Sequence, residues 1–99
     1  MLTSENVTKL DIRTHVKKDG SALNDWYIGI TSDPDQALFE NHKVKKESSG
    51  WIYRLTNSPT IAKRVRKYFL DMGLDGGIGD VDNRARVVYA YKKTASTKP

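Results

Sequence analysis

The chain has 99 residues, a net charge of +5, 37% hydrophobic residues and no cysteine, which fits one small domain with a single core and excludes disulfides and thiolate metal sites. A reducing compartment, the cytoplasm, suits a cysteine-free chain, and two histidines are too few for a dedicated zinc site. No apolar run reaches membrane-spanning length, and the N-terminus lacks the apolar core of a signal peptide, so no membrane partner is expected.

From the N-terminus, Leu10, Ile12, Thr14 and Val16 alternate with Asp11, Arg13, His15 and Lys17, which predicts a first strand over Val7–Lys17. Asp19-Gly20 is a turn signal and suggests a loose hairpin into a second strand. In that strand, residues 25–31, Trp26, Ile28 and Ile30 share one face, and Tyr27, Gly29 and Thr31 the other. Gly29 leaves a gap that a backbone or a ligand can approach. Asp33-Pro34 with Gln36 starts a helix running to about Asn41. A basic loop covers 42–50, and a third strand covers Trp51–Thr56. Ser58-Pro59 opens a second helix with Ile61, Val65, Tyr68, Phe69 and Met72 on one face and Gly73 as its C-cap. A Gly-Asp loop is expected over 74–82, then a strand over Arg84–Lys92. Residues 1–93 read as one domain and 94–99 as a flexible tail. The order ββαβαβ implies an α+β domain, a small antiparallel sheet of three to four strands with two flanking helices.

Charge is unevenly placed. From Lys43 to Tyr68 stand eight bases, Lys43, Lys45, Lys46, Arg54, Lys63, Arg64, Arg66 and Lys67, against a single acid, Glu47. A one-signed stretch suits a phosphate backbone, with Trp51, Tyr53 or Tyr27 adding base stacking. An acidic protein partner would want the same patch.

The Tyr27-Ile28-Gly29 strand, the Thr31-Ser32-Asp33-Pro34 start of a helix and His42 just beyond it resemble a GIY-YIG nuclease superfamily domain. Tyr68-Phe69-Leu70-Asp71-Met72-Gly73 and Val88-Tyr89-Ala90-Tyr91 are similar to the far end of such domains, so the resemblance spans about Leu10 to Lys92. It implies a GIY-YIG-like fold and a shallow site on the sheet. There, two tyrosines from the first hairpin stand near a helix arginine, and a glutamate on a later helix holds one Mg2+ or Mn2+ ion. Tyr27 matches the second tyrosine, and His15 stands where the first would be. His42 is the third candidate catalytic residue. The helix arginine would fall near Ala37 or Leu38. The later helix carries no glutamate, Arg66 stands near its expected place, and Asn83 matches a late asparagine loosely. A cation where a metal should bind repels it, and a missing arginine removes the bidentate phosphate clamp. The resemblance therefore implies a degenerate site without a metal or other cofactor.

Other chemistries lack support: there is no P-loop and no cysteine nucleophile, and Gly76-Gly77-Ile78-Gly79 is flanked by aspartates that would repel phosphate. Three functions remain in competition. The first is a degenerate domain that binds DNA or other nucleic acid through the eight bases without efficient cleavage. The second is a small phage or mobile-element inhibitor that binds an acidic protein. The third is an active, metal-dependent endonuclease with a rearranged site.

Overall fold

The computed structural model describes residues 2–76 and 84–99, and its first element is a helix where alternation suggested a strand. Helix α1 spans Glu5–Lys18. Ser4 caps it, accepting the Val7 N–H at 3.2 Å, and the Thr8 hydroxyl donates back to the Ser4 carbonyl. Thr8, Ile12 and Val16 are buried at a spacing of four. Ile12 and Val16 fit either period, but Leu10, which a strand would bury beside them, is 51% exposed. Gly20, read as a hairpin turn, instead ends this helix: its φ is 75° and its N–H donates to the Lys17 carbonyl.

Three strands follow: β1 (Trp26–Thr31), β2 (Trp51–Leu55) and β3 (Val87–Lys92). They form an antiparallel sheet in the order β1-β3-β2. The α+β class with a small antiparallel sheet is thus as expected. The expected first hairpin is not, because β1 pairs with the last strand. Trp26 faces Lys92, Tyr27 faces Tyr91, and Gly29 faces Tyr89. Asp75 runs along the outer edge of β1, its backbone exchanging hydrogen bonds with Trp26 and Ile28, which covers that edge.

Period-two alternation gives the sheet two unlike faces. Trp26, Ile28, Ile30, Ile52, Val88 and Ala90 form one, buried against α1 and against helix α2 (Pro59–Met72). Ser58 caps α2, Pro59 occupies its first turn, and the Gly73 N–H bonds to the Phe69 and Leu70 carbonyls. The other face carries Tyr89, Tyr91, Tyr27, Trp51 and Tyr53. A short wide-turned helix, Gln36–Asn41, lays Ala37 and Leu38 on it, with Val44 beside them. Asp33 starts that helix as expected, its carboxylate accepting the Gln36 N–H at 3.1 Å. Residues 94–97 turn back, and the Lys98 N–H donates to the His42 carbonyl at 2.7 Å. Of the Gly-Asp loop expected over 74–82, residues 77–82, with Asp80 and Asp82, lie outside the described residues, as does Asn83.

Candidate nucleic-acid interface

On the tyrosine face, Gly29 does what its missing side chain suggested. A β-carbon there would come within 2.5 Å of the Tyr89 ring, so the ring of β3 lies directly over the β1 backbone. Tyr27 stacks on Tyr91, with centroids 5.2 Å apart and planes 26° from parallel. His42, one residue past the short helix, packs against Tyr27 at 4.9 Å and against Tyr91 at 4.9 Å.

His42 organises the cluster through both ring nitrogens. Its Nδ1 lies 2.6 Å from the Lys98 carbonyl. A carbonyl only accepts, so the network assigns the proton to Nδ1. In the neutral ring Nε2 is then an acceptor, and it takes the Tyr89 hydroxyl at 2.8 Å. The Tyr91 hydroxyl sits 3.0 Å from Nδ1 and 3.5 Å from the same Lys98 carbonyl.

Burial raises the ionisation of Tyr89 and Tyr91 well above the ordinary phenol range, and neighbouring Tyr27 adds to both shifts. The Arg66 guanidinium works the other way on Tyr89. These two hydroxyls are therefore protonated at neutral pH. They act as hydrogen-bond donors and not as bases.

The candidate residues divide between two places. Tyr27 and His42 meet. His15 does not join them: it lies on α1, across the sheet, with its ring edge-on to Trp26 at 5.7 Å and its Nε2 2.9 Å from the Ser49 carbonyl. Its place beside Tyr27 belongs to Tyr91 and Tyr89, whose alternation in the last strand was visible but whose pairing with β1 was not. Among the described residues, no three His, Asp or Glu side chains converge as a metal site.

The eight bases do not form one face either. Lys43, Lys45 and Lys46 are exposed on the loop after the short helix, on the tyrosine side. Lys43 holds a left-handed φ of 59°, an unusual conformation for a long side chain. Lys46 Nζ lies 5.5 Å above the Phe39 ring. Lys63 and Lys67 are exposed on α2, behind the opposite face, and Lys67 pairs with Asp71 at 3.3 Å. Arg54 is held by Asp11 at 2.9 Å, and Arg64 by Glu5. Arg64 and Lys9 together keep the Glu5 carboxyl below its usual range. Tertiary pairing with acids outside the stretch thus offsets part of its charge. Arg66, half-buried, is the α2 cation that acts on the tyrosine cluster.

No family model, curated protein or solved structure matches the chain.

Proposed function

We propose that this chain is a degenerate GIY-YIG-like domain that binds nucleic acid on its tyrosine face without efficient cleavage. The observation that carries the reading is the Tyr27–Tyr89–Tyr91–His42 cluster with Lys43, Lys45 and Lys46 on the loop beside it. Two adjacent antiparallel strands bring tyrosines together, as the resemblance implies for its site, but the second strand is the last in the chain instead of the first. The Tyr89 and Tyr91 hydroxyls are engaged within the cluster and hold it rigid, and the exposed lysines beside it suit phosphate oxygens. The pieces for hydrolysis are weak by the same chemistry. Tyr89 and Tyr91 do not accept a proton at neutral pH, Ala37 stands near the place of the arginine, and Arg66 opposes a cation.

A mobility-shift assay with and without Mg2+ or Mn2+ tests this reading. The expected result is a retarded band that does not need metal and weakens with salt, with no shortened product. Each Lys→Ala change at 43, 45 or 46 should flatten the salt slope by about one unit. Metal-dependent nicking by wild type that is lost in Tyr27→Phe would instead establish an endonuclease. Failure to retard any nucleic acid at low salt, with binding to an acidic protein, would establish the protein-partner reading.

A further inference from the structure

A second group of rings on the tyrosine face is built differently from the cluster around His42. Trp51 and Tyr53 alternate along β2, their planes 11° from parallel and their centroids 6.0 Å apart. Phe39 meets Trp51 edge-on at 5.1 Å. The Trp51 indole N–H donates to the Lys46 carbonyl at 3.1 Å, which ties the ring to the basic loop. All three rings are half-buried, whereas Tyr89 and Tyr91 on the same face are buried. β2 is an edge strand of the sheet, met on its outer side at Leu55 by Leu2 and Thr3, so Trp51 and Tyr53 stand at the border of the sheet before that contact.

Resting on the nucleic-acid reading above, we infer that Trp51 and Tyr53 are a stacking platform for the bases of single-stranded nucleic acid, with Lys45 and Lys46 holding its phosphates. Parallel, partly open rings offer π-faces to any base, and only an unpaired strand has base faces free to meet them. In a duplex those faces are already stacked on one another. Charge fixes the occupant: Lys45 and Lys46 are exposed, and among the described residues neither is ion-paired. Asp33, Asp35 and Glu40 gather around Phe39 in a hollow that Lys46 also lines, so Lys46 borders the acids and Lys45 is the lysine clear of them. That acidic side leaves the β2 border as the route for a phosphate chain.

The chain reports on this site directly. It has two tryptophans, Trp26 at 1% exposure and half-buried Trp51, so quenching of indole emission by a ligand reads Trp51. Titration with oligo(dT), and with a duplex of equal length, should show saturable quenching by the single strand and none by the duplex. Trp51→Ala should abolish the quench and weaken single-strand binding by about 10-fold, within the range expected for one stacked base. Duplex binding should be unchanged. Trp51→Phe should keep most of the affinity, and Tyr53→Ser gives an independent loss if Trp51→Ala fails to fold. Equal binding of both ligands without quenching would overturn the platform and leave the phosphate reading intact. Binding of neither at low salt would overturn both. Unchanged single-strand affinity in Trp51→Ala would also overturn the platform.

Discussion

The two faces of the same three strands are stabilised by different physics. The helical face is apolar: Phe69, Val65 and Ala62 from α2 and Ile12 and Val16 from α1 close on Trp26 and Ile28 with no solvent exposure at the helix positions. The tyrosine face is covered by a short helix, a loop and the returning C-terminal segment at Lys98. It buries hydroxyls that must find partners, and they find them in one imidazole and the carbonyl of Lys98. An apolar face gains from any good fit. A face of buried phenols is specific, because each hydroxyl left unsatisfied costs free energy. One side of the sheet is thus held by apolar packing and the other by a hydrogen-bonded cluster of rings.

Four changes break or sharpen that contrast. The largest effect is expected from Phe69→Ala, which empties the centre of the helical face and should cost about 3–5 kcal/mol in denaturant titration. Nucleic-acid affinity of the molecules that remain folded should not change. Next, His42→Ala removes the partner of the Tyr89 hydroxyl and one partner of Tyr91. Each orphaned group costs roughly 1–3 kcal/mol, and here affinity should fall together with stability. A loss of stability with unchanged affinity would separate the cluster from binding.

Alkaline titration isolates the phenols. Their folded ionisation lies above the unfolded value of about 10, so their contribution is complete below that pH and is lost as pH rises beyond it. Ultraviolet difference spectra should show two phenols that stay protonated above pH ~10 until the chain unfolds. The Tyr89→Phe/Tyr91→Phe double variant should lose that late step and show a shallower alkaline loss of stability. The smallest effect has the opposite sign. Lys43→Gly relieves a left-handed backbone and should raise stability by up to about 1 kcal/mol, while flattening the salt slope of binding as removal of a phosphate contact would.

Much of the sheet was legible from local pattern. Trp26 to Thr31, the caps at Asp33 and Ser58 and the α2 stripe are each settled by neighbours within a few residues. The N-terminal helix was not, because Ile12 and Val16 satisfy both a period of two and one of four. The deciding signal is the Ser4 cap together with the Glu5–Lys9 pair one turn apart. The partner of β1 was illegible for another reason. Strand pairing is a long-range choice, and Gly29 recorded only that something large lies over it. Charge counted along the chain misled in the same way, since Asp11 and Glu5, which hold Arg54 and Arg64, are distant in sequence.

The position of β3 has a consequence for how the molecule is made. β1 and β2 do not touch each other as strands, and each has its ladder with β3, the last of the three in the chain. During synthesis both wait, edges open, until Val87–Lys92 leaves the ribosome. Ring closure then spans the chain from Thr31 to Val87 on one side and from Leu55 to Val87 on the other. Such non-local pairing makes for slow folding compared with a hairpin sheet. A chain that ends before Val87 lacks the strand with which both β1 and β2 pair, and is therefore expected to expose unpaired edges to aggregation and proteolysis, not to form a smaller version of the same fold.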